Sequence, residues 1–108
     1  TALRAAVAAG PGLVVTTGGT GIAPRDRTPE GTARVLEREL PGIAEELRRR
    51  GLSDTPLSII SRGLAGIVDP GVLIVNLPGS TRAVASGIAV VAEIAPHVLD
   101  QLAGGDHA

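Results

Sequence analysis

The chain has 108 residues, a net charge of −1 and 44% hydrophobic residues, none of them aromatic. This length predicts a single domain over residues 1–108. Because the chain has neither aromatic residues nor Met, its core must consist of Ala, Val, Leu and Ile. All ten basic residues are Arg and they are dispersed, so nucleic acid is a poor candidate partner.

The missing residue types exclude several kinds of site. Without Cys there is no disulfide and no thiolate metal site, which suits a reducing compartment. Without Lys there is no Schiff-base lysine and no P-loop lysine. No apolar run approaches the roughly 20 residues that span a bilayer, and no signal peptide is recognisable. We therefore expect a soluble, cytoplasmic protein with no membrane partner.

The first third of the chain predicts a helix, a strand, a glycine-rich loop and the start of a second helix. Residues 2–9 are rich in Ala and are followed by Gly10-Pro11, which is typical of a short helix and its end. Residues 13–15 are a short apolar run, typical of a strand buried on both faces. The loop follows at residues 18–21, and Thr28-Pro29-Glu30 is typical of an N-cap, a first helical position and an acid in the first turn.

The middle of the chain predicts a helix that is interrupted once. One apolar face runs through it, but Pro41-Gly42 breaks the hydrogen-bond ladder, so two helical pieces or a sharp kink are expected. Gly51 is expected to end the second piece. The apolar face consists of Leu36, Leu40, Ile43, Ala44 and Leu47.

The last half predicts two more strands and a long helix. Residues 57–60 and 72–76 are short apolar runs between turn residues, and Ser80 is a plausible N-cap for a helix with a kink at Pro96 and an end at Gly104-Gly105. The expected inner face of this helix is Val84, Ile88, Val91, Ala95, Leu99 and Leu102. The order of elements predicts an α/β fold with a mainly parallel sheet flanked by helices.

The glycine-rich loop is the strongest candidate for a binding site. It runs as Thr16-Thr17-Gly18-Gly19-Thr20-Gly21 directly after a strand, at the edge where open α/β sheets bind ligands. Glycine lets backbone N–H groups approach an anion, and threonine hydroxyls add donors, so phosphate or pyrophosphate is the expected guest. The alternative is a tight turn without a ligand.

Asp26 lies a few residues beyond this loop, between Arg25 and Arg27. It could help to hold Mg²⁺, which takes one or two carboxylates together with substrate oxygens. It could equally be a solvated carboxylate that caps local backbone, and spacing alone does not separate the two. The flanking arginines could neutralise phosphates or could be surface charge.

Two further polar turns are expected at the same edge if the strands are parallel. Ser61-Arg62-Gly63 follows the second apolar run, and Asn76-Leu77-Pro78-Gly79-Ser80 follows the third. Ser80 is expected to cap its helix in either case, and the N–H groups behind it could bind an anion. His97 and His107 have no partner at metal-ligand spacing, so they are interpreted as structural or incidental.

Four ordered motifs give the chain a family resemblance. TTGGTGIAPRDRTPE, LPGIAEELRR, ISRGLAGI and LIVNLPGS occur in this order, and the chain from Leu13 to about Leu102 resembles the Mog and MoaB type of molybdenum-cofactor biosynthesis proteins, the molybdopterin adenylyltransferases. The resemblance implies a three-layer α/β fold, commonly a homotrimer, and transfer of AMP from ATP to molybdopterin with Mg²⁺. A catalytically silent member that only binds pterin or nucleotide is the alternative.

The resemblance also implies roles for individual residues. Thr17, Gly18, Gly19, Thr20 and Gly21 would contact nucleotide phosphates, and Asp26 would be the essential, metal-binding aspartate. Ser61 and the turn of Asn76, Pro78, Gly79 and Ser80 would line the pterin or nucleotide pocket. Family members have a further N-terminal segment with a first strand and a second acidic residue, so this chain is expected to be the C-terminal two-thirds of the family domain. Thr81-Arg82 replaces the family's usual residues after the last turn.

Overall fold

The computed structural model describes residues 2–104. These residues form one four-stranded sheet flanked by helices. The helices and strands in chain order are α1 Ala2–Ala8, β1 Leu13–Thr17, α2 Thr28–Ala33, β2 Arg38–Glu39, α3 Pro41–Gly51, a 3₁₀ helix Pro56–Ile60, β3 Ala65–Val68, β4 Val72–Leu77 and α4 Thr81–Leu102. His107 and Gly105 lie outside the described residues.

The expected α/β fold with helices against a sheet is confirmed, but the described sheet is mixed rather than mainly parallel. The strand order is β1-β4-β3-β2, and only β1 and β4 are parallel. β3 pairs antiparallel with both β4 and β2. The reason is the short Asp69-Pro70-Gly71 connection, since a parallel pair needs a crossover of a dozen residues or more.

One segment differs from its predicted structure, and a neighbouring strand has no counterpart in the prediction. Residues 57–60 are not a strand, because Thr55 accepts a hydrogen bond from the N–H of Leu57 (3.2 Å) and begins a 3₁₀ helix with Pro56 in its first turn. The strand is β3, which sequence patterns did not reveal because Ala and Gly favour strands weakly. Gly66 is required there, since a Cβ at this position would collide with the carbonyl oxygen of Arg38 in β2.

Two helical pieces are present as predicted, but the first ends well before Pro41-Gly42, so Leu36 and Leu40 do not lie on a helix as expected. α2 ends at Ala33, the short strand β2 follows, and α3 begins at Pro41 and ends at Gly51. β1 is only half-buried, because within the described residues it has β4 as its sole neighbour in the sheet. The prediction that it is buried on both faces is therefore wrong.

The core lies between the sheet and helices α3 and α4. β4 is buried along its whole length, and the inner face of α4 is Gly87, Val90, Val91 and Ala95. Ile88 is 46% exposed, so the true face is rotated from the predicted one. The helix continues through Pro96, and Gly104 follows its end with φ +94°, as expected of a glycine beyond a helix.

The sequence was expected to contain no apolar run long enough to span a bilayer, and helix α4 corrects this expectation. By length and composition alone it could cross a bilayer, with a mean hydropathy of 1.4 over its most apolar window. Val91 and Ala95 nevertheless belong to the same core cluster as Leu77 of the sheet. A Cβ on Gly87 would overlap the Leu77 side chain, so helix and strand are in close contact. These contacts are those of a core helix.

Candidate functional site

A cavity of about 360 Å³ opens at the edge of the sheet where β1 and β4 end. It is bounded by the loops at this edge, by α3 with the 3₁₀ helix, and by the first turns of α4. Most of the residues predicted from sequence line it: Gly18, Gly19, Thr20, Gly21, Asp26, Ser61, Asn76, Pro78, Gly79 and Ser80. Thr17 does not; it is exposed at the end of β1.

The topology explains why three separate turns meet there. β1 and β4 are parallel and in register from Leu13 with Leu73 to Thr17 with Leu77, so both end at the same edge. β3 runs the other way, so its beginning, not its end, lies at that edge. Ser61-Arg62-Gly63 therefore reaches the site by leading into a strand. The predicted convergence is present, but the direction of one strand differs from the prediction.

The glycine-rich loop has a conformation that only glycine adopts easily. Gly18 and Gly19 have φ values of +85° and +69°. The N–H of Gly18 donates to the carbonyl of Leu77 (2.9 Å), while the carbonyls of Gly18 and Gly19 accept from the hydroxyl and N–H of Thr28 (2.9 and 3.1 Å). Thr28 thus holds the loop and does not cap α2, because the cap position is Arg27 and has no side-chain bond.

The loop after β4 packs directly on the glycine-rich loop. A Cβ on Gly79 would lie 3.2 Å from the Cα of Gly18, so the two backbones approach closely. Ser80 accepts from the N–H of Ala83 (3.1 Å), which confirms the predicted N-cap of α4. The positive end of a 22-residue helix therefore lies beside the glycines, an arrangement that favours an anion.

Asp26 lies against the glycine-rich loop in a defined position. Its Oδ2 accepts from the N–H of Ala23 (3.0 Å), and its own N–H donates to the carbonyl of Ala23 (2.9 Å). A Cβ on Gly21 would lie 2.8 Å from this Oδ2, so the carboxylate packs directly against the backbone of the loop. Among residues 2–104, nothing donates a hydrogen bond to the other oxygen, Oδ1. Asp26 can therefore offer an oxygen to a ligand.

Arg62 is the residue that sequence reasoning missed. Its guanidinium donates to the carbonyls of Gly21 and Asp26 (both 2.8 Å) and to the carboxylate of Glu30 (2.6 Å). Its backbone N–H donates to the carbonyl of Thr20 (2.8 Å). The Arg62 hydrogen bond lowers the pKa of Glu30, and Glu30 in turn raises the pKa of Arg62. Arg62 thus joins the glycine-rich loop, the Asp26 turn and α2.

Asn76 is held within the protein and has no free amide N–H for a ligand. It is 2% exposed, and its Nδ2 donates to the hydroxyls of Thr16 (2.8 Å) and Thr32 (3.0 Å). Its Oδ1 accepts from the N–H of Leu64 (3.0 Å). Both amide hydrogens are used, so Asn76 shapes the cavity floor by fixing β1, α2 and the start of β3.

Arg48 of α3 plays the same part for the Ser61 turn. Its Nη1 donates to the carbonyls of Ser61 (3.2 Å) and Gly63 (3.3 Å). Within residues 2–104 the Ser61 hydroxyl takes part only in a long bond that it accepts from the N–H of Gly63 (3.4 Å), so its proton is available to a ligand. On the outer side of α3, Glu46 pairs with Arg50 four residues further on, as the i, i+4 spacing of acid and base in this helix predicts, and also with Arg49, which the same spacing would have paired with Glu45.

The far side of the cavity is mainly apolar. α3, the 3₁₀ helix and α4 contribute small and aliphatic side chains to this wall, among them Ala44, Leu47, Leu57, Ile60 and Ala83. The chain contains no aromatic residue that could stack on a flat ring, so aliphatic contact has to replace stacking. The cavity therefore combines a polar, anion-favouring end with an apolar compartment.

The metal expectation depends on Asp26 alone. Residues 2–104 contain no group of three or more His, Cys, Asp or Glu side chains that could hold a metal ion. Magnesium, however, is commonly held by one or two carboxylates and completed by substrate phosphates and water. The free Oδ1 of Asp26 beside the glycine-rich loop fits an ion of that kind, shared with a bound phosphate.

Comparison with known proteins identifies the relatives of this chain. Residues 1–97 match the family model described as "Probable molybdopterin binding domain". The molybdenum cofactor biosynthesis bifunctional protein of Synechococcus elongatus is 46% identical over 98% of this chain and 33% of its own length. The molybdopterin adenylyltransferase of Helicobacter pylori is 44% identical over 85% of this chain and 52% of its own.

Solved structures agree with this assignment. The Mog protein of Mycobacterium ulcerans superposes with a TM-score of 0.89 at 48% identity, covering 94% of this chain and 66% of that one. MoaB of Thermus thermophilus gives 0.83 at 46% identity, covering 95% and 65%. The chain thus spans about two thirds of these structures, about a third of the Synechococcus elongatus relative and about half of the Helicobacter pylori relative.

Proposed function

The chain belongs to the molybdopterin-binding domain family, and on that premise we propose that it takes part in molybdenum cofactor biosynthesis by transferring the adenylyl group of ATP to molybdopterin. The observation that carries the proposal is the cavity itself. It joins a fixed glycine-rich loop and the N-terminus of α4 to an apolar compartment, with Asp26 between the loops. Such a cavity can hold phosphates at one end and a ring at the other.

The names of the relatives support this choice of reaction. The Helicobacter pylori relative and an Escherichia coli relative that is 46% identical over 72 residues are both molybdopterin adenylyltransferases. We propose ATP and molybdopterin as the substrates of the protein.

The proposed residue roles follow the geometry. Gly18, Gly19, Thr20 and Gly21 bind nucleotide phosphates, with Thr17 at the exposed entrance. Ser61 and the turn of Pro78, Gly79 and Ser80 line the adjoining pocket, and Asn76 holds its floor. Arg62 is a positioning residue, because it bonds the backbone that carries Asp26 rather than facing the cavity.

In the proposed reaction a terminal phosphate oxygen of molybdopterin attacks the α-phosphorus of ATP. A new O–P bond forms, the bond to the β-phosphate oxygen breaks, and pyrophosphate leaves with the electron pair. The protein has no strong nucleophile to supply, so its contribution is positioning and neutralisation of charge. Magnesium, when bound, would neutralise phosphate charge, and the Asp26 carboxylate is the group that would hold it.

The test is pyrophosphate release by the full chain with ATP, Mg²⁺ and molybdopterin. Asp26→Asn should abolish release while its thermal unfolding, followed by circular dichroism, stays within a few degrees of wild type. Glu45→Gln, an exposed carboxylate change on α3, is the matched control and should keep full activity. Unchanged turnover in Asp26→Asn would refute the assigned role. Binding of both ligands without turnover would favour the silent, ligand-binding alternative, and no binding would reject both.

We also propose that the protein is a homotrimer in the cytoplasm. The solved relatives support a soluble protein, and the 3₁₀ helix exposes Leu57 (66%) and Ile59 (67%), an apolar patch of the kind that subunit contacts cover. Light scattering coupled to size-exclusion chromatography should give three times the chain mass. A monomer at micromolar concentration would contradict the trimer.

A further inference from the structure

A second carboxylate lines the cavity away from the glycine-rich loop. Asp54 lies in the turn after α3, and its Oδ2 accepts a hydrogen bond from the hydroxyl of Ser86 in α4 (2.7 Å). Both side chains belong to the cavity lining. This bond fixes the Asp54 carboxylate across the gap between the end of α3 and the second turn of α4.

The carboxylate has unused accepting capacity. Among residues 2–104 no arginine forms an ion pair with Asp54, and nothing donates a hydrogen bond to its Oδ1. The Asp54 side chain is half-buried and belongs to the cavity lining. A partly buried carboxylate oxygen without a donor is costly unless a ligand or water supplies one, and here Ser86 serves only Oδ2. Asp54 is therefore placed to accept N–H groups from whatever fills the cavity.

Its distance from the anion-favouring end is suitable for one ligand that reaches both. Ser86 is six residues beyond the N-cap Ser80, which corresponds to about 9 Å along an α-helix at 1.5 Å per residue. A phosphate at the N-terminus of α4 and a ring edge near Ser86 and its partner Asp54 would thus be separated by about the length of a bicyclic ring with a short side chain.

We infer that Asp54 recognises a 2-amino-4-oxopyrimidine edge, the donor edge that pterins and guanine share. This edge has a ring N–H beside an amino group, and a carboxylate can accept from both at once. Adenine has an amino group beside a bare ring nitrogen, which would face the carboxylate with a lone pair. The inference rests on the proposed function in taking a pterin as the ligand, and it assigns the pterin, not adenine, to the Asp54 end of the cavity.

The probe is the intrinsic fluorescence of 6-hydroxymethylpterin titrated with the full chain. Its 2-oxo counterpart, 6-hydroxymethyllumazine, lacks the amino donor and should bind at least about tenfold more weakly, the usual effect of losing a hydrogen bond to a charged group. Asp54→Asn keeps the size and can still accept from Ser86, but it should bring the two affinities to within about twofold. Glu45→Gln should keep the wild-type preference.

The outcomes separate this inference from the proposed function. Equal binding of both rings by the wild type, or an unchanged preference in Asp54→Asn, would overturn the role of Asp54. Competition by GMP but not AMP would support the recognised edge and would identify guanine as a second source of it, while competition by AMP alone would refute it. An Asp54-dependent preference without pyrophosphate release would support the recognition role of Asp54 and reject adenylyl transfer. Pyrophosphate release without an Asp54-dependent preference would support adenylyl transfer and reject the recognition role.

Discussion

The buried side chain of Asn76 allows a sharp test of what holds the site together. Sequence reasoning placed this residue among the ligand contacts, but its amide is fully engaged with Thr16, Thr32 and the N–H of Leu64. Asn76→Ala removes all three bonds at once. We therefore expect the change to lower stability first and ligand affinity only as a consequence.

The magnitude follows from the bonds that are lost. Three neutral hydrogen bonds contribute about 1 kcal/mol each, and the orphaned N–H of Leu64 adds on the order of 1 kcal/mol of desolvation cost, which gives ~4 kcal/mol. This is a large part of the 5–15 kcal/mol that typically stabilises a domain. With a urea dependence of about 2 kcal/mol per molar, the unfolding midpoint should fall by about 2 M.

Urea unfolding followed by far-ultraviolet circular dichroism is the assay, because the chain has no Trp or Tyr for fluorescence. Thr16→Val, which removes one partner of the Asn76 amide, should cost about 1 kcal/mol. Thr17→Val, one residue along the same strand and exposed, is its control and should change stability by less than about 0.5 kcal/mol. If Asn76→Ala unfolded at the wild-type midpoint but lost its ligand, Asn76 would be a ligand contact and not a structural residue.

Three other variants test the loop and the helix surface. Gly19→Ala should destabilise the protein by about 2 kcal/mol or more in urea melts, because the backbone there has a positive φ and the new Cβ would collide with the hydroxyl of Thr28. Gly42→Ala is the control and should not change stability, because no atom lies near its Cβ position. Two arginines lower the pKa of Glu46 from 4.5 to about 2, so its stabilising effect is complete above about pH 4.5 and is lost as the pH falls towards 2. Glu46→Gln should therefore show a smaller loss of Tm than wild type between those pH values; parallel curves would contradict the ion pair. Arg62→Lys keeps the charge but not the three-way donation, so ATP affinity should fall in calorimetry while the fold persists, and unchanged affinity would show that the loop holds itself.

Local sequence signals predicted the features that depend on neighbouring residues. Ser80 caps α4 through a bond to a residue three positions on, and Gly104 ends the helix by its own backbone freedom. The glycine-rich loop was recognisable for the same reason, since three glycines in four positions after a strand leave few alternatives. These features depend on interactions between residues a few positions apart, so the local sequence is sufficient to predict them.

Features that depend on distant residues were missed. Arg62 meets Glu30 from 32 positions away, and no spacing rule connects them. The strand at 65–68 was overlooked because Ala and Gly give it little intrinsic preference, and it is a strand because β4 and β2 pair with it on both sides. A short apolar run such as residues 57–60 fits a strand and a helical turn equally well. In the structure it forms a 3₁₀ helix, which begins at the N-cap residue Thr55.

The reversed direction of β3 explains how the three turns could be predicted to meet at one sheet edge from a partly wrong topology. A turn lies at a given edge of a sheet whether it follows a strand or precedes an oppositely directed one, so Ser61-Arg62-Gly63 meets the glycine-rich loop in either case. The direction does change which atoms meet. Because the chain enters β3 at this edge, the N–H of Arg62 reaches the carbonyl of Thr20, and its side chain extends along the loop to Gly21 and Asp26. The position of Asp26 thus depends on the antiparallel strand that the sequence reading did not foresee.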